Sequence, residues 1–252
     1  MMIILHYQNG IITDDSIAGV PFERAIIAAD ANPHVRTGIP LQTIRGITNH
    51  NTGNPAPTAD ARAHAHWLAG VEAQDSDYIG AHFFVDGDRI VQTLPINEVA
   101  WHAGDGQGPG NMTTLAIEIC ETTPLAAAEA NALVLNAALL IDHPDWQIYK
   151  HQDWSGKYCP RRILAEGRWP VFVEAIRQRV AQLQESPQPV PDDAPSPWAA
   201  DAIRWAKATG LLQGRSEGPA YQAPATREEV LTFLYRLPVS YTHLTLPTIL
   251  LV

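Results

Sequence analysis

An alternation of apolar and polar positions marks a buried β-strand near the middle of the chain. In residues 113–121, TTLAIEICE, one face carries Leu115, Ile117 and Ile119, and the opposite face carries Ala116, Glu118 and Cys120. A period of two places successive side chains on opposite faces of a sheet. The pattern therefore predicts a strand that is apolar on one side and turns the Glu118 carboxylate toward the other side.

Other segments also have strand character. Residues 44–50, IRGITNH, indicate a strand that leads into the polar loop NTGNPAP, and residues 81–94, AHFFVDGDRIVQTL, predict a β-hairpin that turns at DGD. Near the N-terminus, MIILHYQNGII is consistent with a strand and a turn.

Helical segments alternate with these strands. PFERAIIAAD favours a short helix, and Thr58 is placed to cap a helix that runs through HWLA and ends at Gly70. Thr123 and Pro124 open the long apolar helix LAAAEANALVLNAALLI, and WPVFVEAIRQRVAQLQ predicts a last amphipathic helix. Because strands and helices alternate, we predict an α/β domain with a mixed central sheet flanked by helices.

A proline-rich run divides the chain. Residues 186–197, SPQPVPDDAPSP, contain five prolines and predict a stiff linker after a first domain of residues 1–185. Residues 198–238 then predict a small helical unit, in which Gly210 suits a helix end and Thr226 with Glu229 forms a capping box. The composition changes abruptly at residues 239–252, where VSYTHLTLPT matches a translated sequencing adaptor, so we expect this tail to be non-native.

Charge and hydropathy exclude several partner classes. The chain has 27 acidic and 17 basic residues, a formal net charge of −10 and no basic cluster, so we expect no nucleic-acid partner. No apolar run approaches the roughly 20 residues of a membrane span, so we expect no membrane insertion. The start, MMIILHYQNG, lacks the features of a signal peptide, and we expect cytoplasmic synthesis.

The segment HQDWSGKYCP carries the most informative chemistry. It sets His151 and Cys159 eight residues apart, with Lys157 between them. Imidazole and thiolate are good zinc ligands, and a nearby cation can stabilise developing negative charge. His50, in ITNHNTGNP, is the best candidate for a third ligand. The alternative, a disulfide between Cys120 and Cys159, is disfavoured in a cytosolic chain.

Five ordered motifs resemble one family: ITNHNTGNP, AHFFVDGDRIVQTLP, AWHAGDGQGPGN, LAIEICE and HQDWSGKYCP. Over roughly residues 33–180 the chain is similar to zinc-dependent N-acetylmuramoyl-L-alanine amidases of phage endolysins and bacterial autolysins. Peptidoglycan recognition proteins share this fold, and some of them bind without cutting. The resemblance implies a 1–185 amidase domain that uses one zinc ion and acts on peptidoglycan.

The resemblance also implies residue roles. His50, His151 and Cys159 match the zinc ligands, which leaves the fourth tetrahedral position for water. Glu118 matches the catalytic glutamate, which serves as general base, and Lys157 matches a lysine that faces the scissile carbonyl. The bond cut would join the lactyl group of muramic acid to L-alanine of the stem peptide. The expected substrate-binding residues are His102, Trp101, Asn51 and Thr52.

The unit at 198–238 resembles an S-layer homology repeat, through WAADAIRWAKATGLLQG and TREEVLTFLYR. That resemblance implies binding to secondary cell-wall polysaccharide. A helical hairpin that only packs or dimerises is the alternative for this unit.

The combined interpretation is a modular lysin, a phage or prophage endolysin released by holin-type lysis to act at the bacterial cell wall. Four alternatives remain open. They are a bacterial autolysin of the same chemistry, a non-catalytic peptidoglycan binder, a surface protein that depends on its C-terminal unit, and a zinc hydrolase of another amide.

Overall fold

The computed structural model describes residues 4–71, 78–122, 124–184 and 199–209, and the chain divides into two compact units, Met1–Ser186 and Pro187–Val252. The strands are β1 (Tyr7–Gln8), β2 (Ile11–Ile12), β3 (Ser16–Ile17), β4 (Val20–Arg24), β5 (Gly46–Asn51), β6 (Phe83–Val85), β7 (Ile90–Gln92), β8 (Thr114–Ile119) and β9 (Gln147–Lys150). The helices are α1 (Ala61–Ala69), α2 (Pro109–Thr113), α3 (Leu125–Asp142), α4 (Gln152–Ser155), α5 (Arg161–Ala165), α6 (Trp169–Gln184) and α7 (Ala200–Ala208).

The first unit is built on a seven-stranded mixed sheet in the order β3-β4-β7-β6-β8-β5-β9. Strands β8 and β9 both run parallel to β5, β6 runs parallel to β8, and β6 and β7 form an antiparallel pair. A separate two-stranded sheet joins β1 to β2 through a turn in which Asn9 and Gly10 have positive φ. The predicted N-terminal strand and turn, and the predicted hairpin at 81–94, are confirmed.

Helices cover both faces of the large sheet, as the α/β prediction requires. Leu115, Ile117 and Ile119 lie in the apolar cluster that includes side chains of α3 and α6. Ala116 and Cys120 lie in a second cluster with side chains of α1. The alternation predicted for TTLAIEICE is therefore confirmed, and it places Glu118 on the α1 side of the sheet.

Three local predictions need correction. The segment PFERAIIAAD begins with strand β4 and not with a helix, because Val20 and Phe22 are buried at alternate positions and the strand pairs in parallel with β7. The cap of α1 is Asp60, whose carboxylate accepts a hydrogen bond from the Ala63 amide, and not Thr58. Helix α3 begins one residue after Pro124, while Thr123 lies outside the described residues.

Helix α3 has the length and apolar composition of a membrane-spanning segment. It packs as a core helix, however, because its inner residues lie in the apolar cluster with the sheet and α6. The predicted last amphipathic helix coincides with α6.

Of the second unit, the described residues 199–209 contain α7, within the segment predicted to be helical. The linker at 186–197, the capping box at Thr226 and Glu229, and the tail at 239–252 lie outside the described residues.

A buried pair of amides joins β5 to α3. Asn49 Nδ2 donates to Asn136 Oδ1 at 3.0 Å, and Asn136 Nδ2 donates to Asn49 Oδ1 at 2.9 Å and to the Ala132 carbonyl at 2.8 Å. Both side chains are fully buried. The pair therefore anchors β5 one residue before His50.

Loss of one amide should leave the other buried without a partner. We expect Asn136→Ala to lower the free energy of unfolding by about 2–4 kcal/mol, from the unpaired amide and the cavity. The double variant with Asn49→Ala should lose less than the sum of the two single variants, by about 1–2 kcal/mol. Urea unfolding measures both quantities. Gln178→Ala, at an exposed site on α6, should change stability by less than about 0.5 kcal/mol. If the losses of unfolding free energy in the two single variants add up to the loss in the double variant, Asn49 and Asn136 do not stabilise the fold as a coupled pair.

Candidate active site

Parallel pairing of β5 and β8 places His50 directly beside Glu118. The two residues are register partners near the carboxyl ends of their strands. His50 Nδ1 lies 3.9 Å from Glu118 Oε1, and the His50 side chain is 1% exposed. Ligand sites form at the carboxyl ends of parallel strands, so this edge of the sheet is a natural place for chemistry.

The third strand of this group brings in the rest of the site. Strand β9 pairs with β5, and His151 follows β9 immediately. His151 Nδ1 lies 2.9 Å from His50 Nδ1, and Cys159 Sγ lies 3.9 Å from the same His50 atom. One donor atom from each of the three residues falls within 4.8 Å of the others, and all three residues are buried. Two imidazoles and one thiol in this arrangement suit a tetrahedral divalent ion with one open position.

The backbone around Cys159 is held by Asn51. The Asn51 amide N–H donates to Cys159 Sγ at 3.4 Å, and the Asn51 side chain accepts from the Arg162 amide at 3.0 Å. Asn51 Nδ2 donates to the Ile119 carbonyl at 3.4 Å. Asn51 is predicted to bind substrate. Its side chain instead forms hydrogen bonds that join β5, β8 and the start of α5.

Burial keeps the imidazoles neutral. Burial and the neighbouring His102 and His151 hold the pKa of His50 well below its usual range. Burial, with a smaller effect of Lys157, lowers the pKa of His151 to about 4. Neutral imidazoles retain the lone pair that a metal ion needs.

The acidic groups shift in the opposite direction. Burial and the nearby Glu118 raise the pKa of the Cys159 thiol to about 12. Burial raises the pKa of Glu118 to about 8, and Lys157 partly opposes this. Glu118 Oε2 is buried and has no hydrogen-bond partner. A divalent cation among these groups would favour the thiolate and the carboxylate, so the site fits a cation.

The raised pKa makes Glu118 a cost to stability in the metal-free protein. A carboxyl pKa of about 8 in the folded state exceeds the value of about 4.3 in the unfolded chain, so stability falls as pH rises between these values. Glu118→Gln should match the parent near pH 4 and then exceed its stability by about 1.4 kcal/mol per pH unit up to pH 8.

Urea unfolding of the metal-free protein at several pH values measures this difference. Glu174→Gln, on the exposed side of α6, is the control and should differ from the parent by less than about 0.5 kcal/mol throughout. A Glu118→Gln advantage that does not change with pH would refute the argument.

A cavity of about 870 Å³ opens over these residues. Its lining includes the His-His-Cys cluster, Glu118 and the exposed Lys157. It also includes three large aromatic side chains, Trp67, Tyr78 and Trp101. Tyr78 and Trp101 pack edge to face with ring centroids 5.6 Å apart. The same cavity therefore holds the reactive groups and aromatic surface.

The structure places the other predicted substrate residues on this cavity in different ways. Trp101 and Thr52 line it, and Thr52 Oγ1 is buried without a partner. His102 also borders the cavity, but both of its ring nitrogens contact protein atoms, His50 Nε2 at 3.0 Å and the Thr114 carbonyl at 3.3 Å. None of these contacts tests the predicted substrate binding.

Contacts also define the state of two acidic residues and of the cysteines. Asp153 forms an ion pair with Lys150. Glu121 has its buried carboxylate engaged by Arg161 and by the Gly53 amide. Cys120 and Cys159 are both free thiols, so the alternative disulfide is wrong.

Sequence reasoning missed Trp67 and Tyr78 in the cavity lining, and it missed one close backbone approach. Trp67 lies on α1, which packs on the same face of the sheet as Glu118. Gly104 has φ +69°, and a Cβ there would lie 3.1 Å from Ser155 Oγ and 3.5 Å from His151 Nε2. In the sequence, the glycine of the WHAG motif indicates a close backbone approach of this kind.

Comparisons with known proteins point to one family. Residues 40–162 match the family model described as N-acetylmuramoyl-L-alanine amidase. The chain is similar to the Bacillus subtilis amidases XlyB, at 42% identity over 142 residues, and XlyA, at 46% over 134 residues. These matches cover 53% and 52% of this chain and 42% and 43% of the relatives, so the chain spans less than half of their length.

A solved structure supports the fold. A mutant endolysin from Bacillus subtilis superposes with a TM-score of 0.55 and 40% sequence identity, over 62% of this chain and 99% of that chain. The first unit therefore has the mixed, helix-flanked sheet of an endolysin catalytic domain.

Proposed function

Because this chain belongs to the N-acetylmuramoyl-L-alanine amidase family, we propose that it hydrolyses the amide between N-acetylmuramic acid and L-alanine of peptidoglycan. The convergence of His50, His151 and Cys159 beside Glu118, on the wall of a large cavity, carries the proposal. A non-catalytic binder would have no need of a carboxylate with a buried, unpaired oxygen next to three potential metal ligands.

One zinc ion suits the donor set. His50, His151 and Cys159 would hold it, since one donor atom of each lies within 4.8 Å of the others and His50 Nδ1 faces both His151 Nδ1 and Cys159 Sγ. When bound, zinc supplies Lewis acidity, which lowers the pKa of water and polarises a carbonyl oxygen.

Glu118 is the proposed general base. Its Oε2 is the free atom, since Oε1 faces His50 Nδ1 at 3.9 Å. A base with a raised pKa can accept the proton of the attacking water at Oε2 and then deliver it to the departing L-alanine amine. Transfer of this single proton balances the hydrolysis, because the carbonyl carbon gains hydroxyl and the amine gains hydrogen.

Lys157 is the proposed electrostatic partner. Its side chain is exposed on the cavity wall, and its charge acts on His50, His151 and Glu118. A fixed ammonium near the scissile carbonyl would stabilise the oxyanion of the tetrahedral intermediate.

The remaining cavity lining is the proposed binding surface for the rest of the muropeptide. Trp101 and Thr52 belong to this lining, and the unpaired Thr52 hydroxyl is available to a peptide group. The side chains of His102 and Asn51 are hydrogen-bonded to protein atoms. These two residues would therefore shape the site through protein contacts and not by direct binding of substrate.

The remaining assignments extend this proposal to the whole chain. We assign 1–185 to catalysis, 186–197 to a linker, 198–238 to an S-layer homology-like unit for secondary cell-wall polysaccharide, and 239–252 to a non-native tail. Tethering to the wall would raise the local concentration of the catalytic domain. An endolysin made in the cytoplasm and released by holin-type lysis fits this organisation, and an autolysin of the same chemistry is the alternative origin.

Digestion of purified Bacillus subtilis peptidoglycan tests the function. We expect new L-alanine amino termini and free muramic lactyl groups by mass spectrometry, with the reaction abolished by a chelator and restored by zinc. Cleavage at another amide would replace the proposed substrate bond. Binding to the wall without any cleavage by zinc-loaded protein would favour the non-catalytic alternative.

Removal of residues 186–252 should spare cleavage of soluble muropeptides, whereas a surface protein dependent on its C-terminal unit would lose all activity.

A further inference from the structure

His102 contacts two neighbouring strands that build the active site. It is 9% exposed, and its ring stands between His50 on β5 and the Thr114 carbonyl at the start of β8. Asn111 Oδ1 accepts from the His102 and Ala103 amides, both at 2.8 Å, and so fixes the backbone that carries the ring. The position of His102 is therefore tightly determined by protein contacts.

The partners of His102 determine where its hydrogen lies. A carbonyl oxygen only accepts hydrogen bonds, so His102 Nε2, 3.3 Å from Thr114 O, carries the hydrogen. In a neutral imidazole the other nitrogen is then an acceptor. His102 Nδ1 must accept, and the atom that faces it at 3.0 Å is His50 Nε2.

The same reasoning extends to His50. Its Nε2 must donate to His102, so its Nδ1 carries no hydrogen and presents a lone pair. That lone pair faces His151 Nδ1 at 2.9 Å and Cys159 Sγ at 3.9 Å. The chain Thr114–His102–His50 thus leaves open the nitrogen that belongs to the ligand cluster.

The alternative tautomer of His50 would compete with a metal. With hydrogen on Nδ1, His50 would have no lone pair to offer a metal at that atom, and the hydrogen would have to move to Nε2 before a metal could bind there. His102 disfavours that state, because it would place two bare nitrogens, His50 Nε2 and His102 Nδ1, against each other in a buried site.

We propose that His102 is a positioning residue that holds His50 in the Nε2–H tautomer and so keeps His50 Nδ1 available to zinc. This inference rests on the proposed function, since it assigns the ligand cluster to zinc. Hydrogen-bond partners that orient ligating histidines typically contribute 10–100-fold to metal affinity.

The first test needs no substitution. Long-range ¹H–¹⁵N correlation NMR on the metal-free, full-length protein reports which nitrogen of each histidine carries hydrogen. We expect His50 and His102 both to be protonated at Nε2. A His50 ring protonated at Nδ1 would overturn the inference, whether or not the protein cuts peptidoglycan.

The second test distinguishes the role of His102 Nδ1 as a hydrogen-bond acceptor from the packing of the His102 ring. His102→Leu removes the acceptor, and His102→Asn keeps an oxygen near the position of Nδ1. We expect zinc affinity, measured by competition with a chromophoric chelator, to fall by about 10–100-fold in the leucine variant and to recover to within about fivefold of the parent in the asparagine variant.

His82→Leu is the matched control. His82 is also buried, and its two nitrogens bond to the Ala116 amide and the Glu98 carbonyl, away from the ligand cluster. Its variant should lose stability but keep parental zinc affinity. Equal zinc affinity in His102→Leu and the parent would refute the positioning role, while an inactive protein with the expected tautomer and affinities would refute the amidase proposal alone.

Discussion

Glu118→Gln should reduce turnover of peptidoglycan by about 10²–10⁴-fold while it leaves zinc affinity and wall binding within a few-fold of the parent. The amide keeps the size of the side chain and removes the proton-accepting oxygen. Release of soluble fragments under saturating zinc, with zinc content measured in the same sample, gives both quantities. The variant should lower kcat, since the carboxylate takes part in proton transfer and does not bind the sugar or the peptide.

Glu121→Gln is the informative control for this result. Glu121 is three residues away, but Arg161 and the Gly53 amide occupy its carboxylate. An amide oxygen can still accept from both, so turnover should stay within about threefold of the parent, with a modest loss of stability. A larger effect at Glu121 than at Glu118 would mean that the base has been assigned to the wrong carboxylate.

Cys159→Ser should weaken zinc binding by on the order of 10³-fold and abolish turnover at trace zinc. A serine hydroxyl is a poor ligand for zinc compared with a thiolate, and the substitution leaves only His50 and His151 as good donors. Zinc stoichiometry by atomic emission after dialysis, together with the digestion assay, measures the effect. Partial recovery of turnover at high zinc would locate the defect in metal binding.

Cys120→Ser is the matched control for the thiol. Cys120 is equally buried, but it packs in the cluster with α1, and its sulfur lies 3.9 Å from His64 Nδ1. We expect zinc stoichiometry and turnover to match the parent, with a loss of stability of about 1–2 kcal/mol from the buried hydroxyl. Full zinc retention in Cys159→Ser would remove the sulfur ligand from the proposal.

The two effects of Glu118 oppose each other. The carboxylate, with its buried and unpaired Oε2, costs stability in the metal-free protein above about pH 4, and the same features prepare it to accept a proton. The Glu118→Gln variant should therefore be more stable and less active. Such a stability–activity trade-off is expected at a catalytic position and not at a structural one.

Patterns within a single element were readable from the chain. The period of two in TTLAIEICE gave the correct faces of β8, because both faces of that strand meet apolar clusters. The amphipathic run at 169–184 predicted α6 with its observed bounds. The helix prediction for PFERAIIAAD is wrong because pairing with β7, a partner about seventy residues away, overrides its helix-compatible composition.

Local periodicity and motif chemistry were enough to predict the α/β class, the types of reactive side chain, and most of the large elements, namely β5 to β8, α1, α3 and α6. Only the tertiary structure decided how His102 and Asn51 are used. Their partners come from β5, β8 and α5, and the direction of a hydrogen bond depends on distances of about 3 Å that no spacing along the chain encodes. The parallel register of β5 with β8 and β9 likewise brings residues a hundred positions apart into one cluster, because strand pairing is set by long-range packing.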